Sequence, residues 1–99
     1  MRSPSGKIIS PIRAKSMALI PGKVSNGLFE LLIELSVIHS EKIINALRDH
    51  LVLGDSRKTS CERYGANASY FSVALGRLFH VNQLVSQLVP YYYDDNYSL

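Results

Sequence analysis

Between Ser25 and Ile38 the apolar positions Leu28, Phe29, Leu31, Leu32, Ile33, Leu35 and Ile38 come too densely for a one-sided stripe. The spacing predicts a helix buried on most of its surface, at the centre of the core or of an oligomer interface. His39-Ser40-Glu41 interrupts the pattern. Ser40 can cap a second helix in which Ile43, Ile44, Leu47 and Leu51 recur at helical spacing, and Gly54 stops it. Ser56 is the next N-cap, for a short helix from Arg57 to Tyr64 that ends at Gly65. Asn67 then caps a long helix whose apolar face is Phe71, Ala74, Leu75, Leu78, Val81, Leu84, Val85 and Leu88, until Pro90 ends it. No segment alternates with a period of two, so the expectation is an all-α fold, a small helical domain containing a helix-turn-helix.

The flanks read differently. Residues 1–24 carry Pro4, Pro11 and Pro21 without sustained apolar periodicity, and hold Arg2, Lys7, Arg13, Lys15 and Lys23 with no acid. They read as a basic, partly disordered arm before a helical domain over 25–90, and 91–99 as a C-terminal tail. Tyr91, Tyr92 and Tyr93 could stack on bases, but after Pro90 the simpler reading is that they cover the edge of the core.

Composition then narrows the function. At 99 residues the chain has room for one domain and none for a separate substrate domain. So small a domain without disulfides often gains stability by associating with copies of itself. The single cysteine, Cys61, has no partner for an internal disulfide, which fits a reducing cytoplasm. No apolar run is long enough to span a membrane and the N-terminus lacks a signal peptide's apolar stretch, so a soluble, unexported protein is expected. The balance of 11 Lys and Arg against 8 Asp and Glu is only mildly basic. Its distribution says more: Arg57, Lys58, Arg63 and Arg77 concentrate positive charge between Gly54 and His80.

That stretch has the spacing of a helix-turn-helix. Cys61 is the small residue where the second helix crosses close to the first, and Gly65 four residues on suits a turn with positive φ. Phe71 and Ala74 fall on the inner face, against Tyr64 and Ala66. Asn67, Ala68, Ser69, Ser72 and Val73 point outward, with Tyr70 and Arg77 at the flanks. Arg57 and Lys58 lie in a first helical turn, where positive charge opposes the helix dipole, so phosphate contact explains them better than stability does. The candidate DNA-binding residues are therefore Arg57, Lys58, Arg63, Asn67, Ser69, Tyr70, Ser72 and Arg77, structurally supported by Cys61, Gly65 and Phe71. A helical hairpin with a turn glycine can equally be plain structure or a protein-interaction module that modulates another regulator. His39, His50 and His80 have no metal-ligand spacing, and the chain has no nucleophile elbow or phosphate-binding glycine loop, so neither enzyme nor cofactor is indicated.

Blocks spread over residues 19–92 resemble a known family. They are Leu19-Ile20-Pro21-Gly22; Leu31-Leu32-Ile33 with Ser36-Val37-Ile38-His39-Ser40; Ser56-Arg57-Lys58 with Cys61-Glu62 and Tyr64; Asn67; Tyr70-Phe71-Ser72; Leu75-Gly76-Arg77-Leu78; and Pro90-Tyr91-Tyr92. Their order and spacing are similar to the PapB-type regulators of fimbrial adhesin operons in enterobacteria. The resemblance implies a cytoplasmic, nucleoid-associated protein that activates or represses pilus genes. It further implies binding to A·T-rich double-stranded DNA through the minor groove, as an oligomer that spreads along it. The family's binding determinants map to Arg57 and Cys61, and Cys61, packed at the crossing, is expected to act indirectly by aligning Arg57 and the second helix. The chain departs from the family pattern at Gly65-Ala66, at Ala68-Ser69 and through most of the arm.

Overall fold

A computed structural model of the chain describes residues 19–93. Residues 1–18 of the basic arm and 94–99 of the tail lie outside them. The described elements are α1 (Asn26–Ser36), α2 (Glu41–Arg48), a π-helical turn (Asp49–Leu53), α3 (Arg57–Tyr64) and α4 (Ala68–Tyr93). There is no strand among the described residues, so the all-α expectation holds. The chain divides into two compact units, one of which is Leu19–Val81. The described part of the other is the continuation of α4 over 82–93.

Helix starts follow local chemistry. The hydroxyls of Ser25, Ser40 and Ser56 accept from the amides of Leu28, Ile43 and Thr59, each satisfying a donor that the first turn leaves unpaired. The Asn67 side-chain carbonyl does the same for the Tyr70 amide at 3.0 Å. Helix ends follow left-handed residues. Gly54 and Gly65 have φ of 88° and 63°. α1 ends less comfortably, on Val37 at φ 59°, a conformation unusual for a β-branched residue. The Val37 amide nevertheless closes the helix by donating to the Ile33 carbonyl.

The core of the Leu19–Val81 unit is built from Phe29, Leu32 and Ile33 of α1, Ile43, Ala46 and Leu47 of α2, Leu51, Cys61, and Phe71, Ala74, Leu75 and Leu78 of α4. Leu19 and Val24 complete it. These last two correct the arm boundary: the chain from residue 19 to 24 is packed on the core and hydrogen-bonded to it. The Leu51 carbonyl, in the π turn, accepts from the amides of Gly22, at 2.8 Å, and Val24, at 3.2 Å. Their backbones come together where Gly22 meets Gly54, and a Cβ on either would sit 3.2 Å from the other's Cα.

Two further expectations need correcting. α1 is not buried on most of its surface: Leu31 and Leu35 are 60% and 58% exposed, and Leu28 is exposed beside them. The dense apolar run therefore serves the core on one side only and leaves an apolar stripe on the other. Nor does Pro90 end the last helix, which continues to Tyr93. Proline fixes φ at a helical value, and its missing hydrogen bond and its ring crowding fall on the turn before it, so the residues after it can stay helical. Tyr91, Tyr92 and Tyr93 are exposed on that last turn.

Candidate nucleic-acid interface

The pair of helices that carries most of the candidate residues begins with α3, whose sequence RKTSCERY is polar on nearly every side and buries only Ser60 and Cys61. So short and polar a helix depends on its caps and its packing. Ser56 supplies the first, and its hydroxyl also donates to Thr59 Oγ1 at 2.9 Å. At the other end the Ala66 amide donates to the Cys61 carbonyl at 2.8 Å, which turns the chain at Gly65 and aims it into α4.

Between the two helices lies a groove of about 620 Å³. Its sides are Arg57, Lys58, Cys61 and Glu62 of α3, Gly65 and Ala66 of the turn, and Ala68, Phe71 and Ser72 of α4. Small and apolar groups make the floor, and two cations with one carboxylate make the rim. Burial pushes the Cys61 thiol pKa up, opposed in part by the nearby charge of Arg57, so the floor of the groove is neutral.

Arg57 has a defined place at this rim. Its Nη2 donates to Ser72 Oγ at 3.0 Å across the groove, and its guanidinium carbon lies 5.6 Å from the centroid of the Phe71 ring. Phe71 is fixed in turn, fully buried, with the His50 ring edge-on to it at 5.7 Å. His50 is anchored through Nδ1 to the Asp55 carbonyl at 2.8 Å. A relay of packed groups thus runs from the π turn to Arg57, which bridges α3 and α4.

Of the residues singled out by sequence, Arg57, Lys58, Ser72, Cys61, Gly65 and Phe71 come together in the groove. Asn67, Ser69 and Tyr70 are exposed on the adjoining start of α4, Asn67 being occupied as its cap. Arg77 is exposed further along α4, outside the groove lining. Arg63 is elsewhere: its guanidinium donates to the carboxylates of Asp49 and of Asp55, the latter at 2.8 Å. These hydrogen bonds, Asp55's first, push its pKa further above the usual arginine range. The Tyr64 hydroxyl donates to the same Asp49 at 2.9 Å, and that bond raises the tyrosine's pKa. Arg63 therefore ties α3 to the π turn. Sequence reasoning gave no role to Asp49 or His50, because what each does depends on a partner brought close only by folding. Among the described residues no group of side chains could hold a metal ion, and no helix is long and apolar enough to cross a membrane.

Comparison with known proteins places this geometry in a lineage. Residues 5–92 match the family model described as adhesin biosynthesis transcription regulatory protein, PapB. The chain is 46% identical over 85 residues to the major pilus subunit operon regulatory protein PapB of Escherichia coli, covering 86% of this chain and 82% of that protein. It is 50% identical over 74 residues to the F1845 adhesin operon regulatory protein of the same organism, covering 75% of this chain and 87% of the other. The crystal structure of E. coli FocB superposes with a TM-score of 0.70 at 46% identity, over 85% of this chain and 96% of that one. These relatives are regulatory proteins, not enzymes. The chain belongs to the PapB family of adhesin biosynthesis transcription regulatory proteins.

Proposed function

We propose that this transcriptional regulator acts on adhesin or fimbrial genes by binding A·T-rich duplex DNA with the rim of the α3–α4 groove. The observation that carries the reading is Arg57, a cation held at an exposed rim in a helical first turn that electrostatically disfavours it. Lys58 beside it and Arg77 along α4 extend the positive surface to neighbouring phosphates. Ser69, Tyr70 and Asn67 flank it at the start of α4. Arginine suits the narrow, negative minor groove of A·T-rich sequence, where its fork can donate to the acceptors on the base edges. Cys61 supports Arg57 from the floor of the groove, and Arg63 braces α3 from behind.

Association with a second copy belongs to the same reading. Leu28, Leu31 and Leu35 recur at i, i+3 and i+7 on the exposed side of α1, a stripe that a matching stripe would cover. Oligomers bound side by side would add phosphate contacts and suit repeated sites.

The test is a salt series of binding to an A·T-rich fimbrial promoter fragment and to a G·C-rich control, with a minor-groove-binding drug as competitor, for the chain and for Arg57→Ala. Binding should favour the A·T-rich fragment, fall steeply with salt and yield to the drug. Arg57→Ala should lose the preference; equal weakening on both fragments would make Arg57 a phosphate contact only. No binding to either fragment at low salt would overturn the proposal in favour of a protein-interaction module.

A further inference from the structure

We propose that Ser72 is a positioning residue for DNA binding: its hydroxyl and the Phe71 ring together hold the Arg57 guanidinium in its binding orientation before DNA arrives. This rests on the DNA-binding reading of the groove. From sequence alone Ser72 was a direct contact to DNA; the structure gives its hydroxyl a different partner, the Nη2 of Arg57 at 3.0 Å. The two residues sit on different helices, fifteen positions apart, so the bond is a tertiary feature of the groove and not a local turn.

The physical case is one of preorganisation. An arginine on a free stem samples many rotamers, and freezing it on a ligand costs affinity. Here the stem is frozen in advance. Phe71 is fully buried in the core, so it offers its ring as a packed plate for the guanidinium. Ser72 takes one N–H of the fork and sets its rotation on that plate. The remaining donors stay available to acceptors on DNA. Ser72 itself is exposed and in the body of α4, so removing its hydroxyl leaves no cavity and opens no buried group.

Fluorescence anisotropy with the A·T-rich and G·C-rich fragments tests this on four variants of the full chain: Ser72→Ala, Ser72→Thr, Arg57→Ala and the double Arg57→Ala/Ser72→Ala. Ser72→Ala should weaken A·T-rich binding by about threefold to tenfold and reduce selectivity, with the melting temperature unchanged or slightly raised because alanine favours helix. Ser72→Thr, which keeps the hydroxyl, should restore binding. In the Arg57→Ala background the loss of Ser72 should have no further effect, since nothing is left to position. Additive losses would overturn the proposal and make Ser72 a DNA contact in its own right. Unchanged binding would overturn it, and so would tighter binding, which would mean that Ser72 holds Arg57 back. If the chain binds DNA but Arg57→Ala does not weaken it, the proposal falls while DNA binding stands; if the chain does not bind DNA at all, the functional reading falls as well.

Discussion

Replacing Gly54 with alanine should destabilise the Leu19–Val81 unit far more than the same change at Gly65, although both residues have positive φ. At Gly65 a Cβ would meet nothing within 4 Å, so only the left-handed backbone opposes it, at roughly 1 kcal/mol. At Gly54 the Cβ would come to 3.2 Å from the Gly22 Cα. Comfortable carbon contacts lie nearer ~3.5–4.0 Å, and the atom in the way is backbone, which cannot rotate aside. The segment that would have to retreat is the one whose Gly22 and Val24 amides bond the Leu51 carbonyl. Overpacking of this kind adds roughly 1–3 kcal/mol, for a total of about 2–4 kcal/mol. In a domain of this size that corresponds to a fall in Tm of roughly 8–30 °C, against about 4–8 °C for Gly65→Ala. Thermal unfolding followed by far-ultraviolet circular dichroism, at one fixed protein concentration, measures both. Asparagine tolerates positive φ, so Gly65→Asn should recover much of the loss and Gly54→Asn should not. Equal falls for Gly54→Ala and Gly65→Ala would refute the claim that the close approach carries energy.

Two further outcomes are expected. Leu31→Glu with Leu35→Glu should leave helix content intact and shift the sedimentation profile toward the monomer, since charges cannot be buried unpaired in an apolar seam; an unchanged profile would place self-association elsewhere. Cys61 should react slowly with thiol reagents at pH 7–8 and accelerate only above the ordinary thiol range, and Arg57→Ala should slow it further by removing the charge that favours thiolate. The sign for stability follows: a pKa raised by folding contributes stability that is whole below the unfolded thiol's pKa and is lost as pH rises through the folded value. Rapid alkylation of the folded chain at neutral pH would contradict the burial of Cys61.

Local chemistry was legible in the sequence because it depends on near neighbours. Serine at 40 and 56 and asparagine at 67 cap helices through bonds three residues long, and glycine at 54 and 65 turns the chain where other residues strain. The order of helices, the turn between α3 and α4 and the inward positions of Phe71 and Ala74 followed from spacing alone. The tertiary structure decided what lies far apart in the chain. Only folding brings Gly22 against Gly54 and packs the segment 19–24 onto the core through Leu19 and Val24; proline and missing periodicity had marked it as arm. Only folding shows that the apolar run of α1 exceeds what one core face can cover, since density does not reveal how many neighbours a helix has. The three arginines and one lysine between Gly54 and His80 looked alike as charge. Their surroundings separate them: Arg63 neutralises Asp49 and Asp55, whereas Arg57 meets a hydroxyl and a ring that fix its direction and leave its charge uncompensated. Charge is a property of the residue, but its availability to a partner is set by what the fold places beside it.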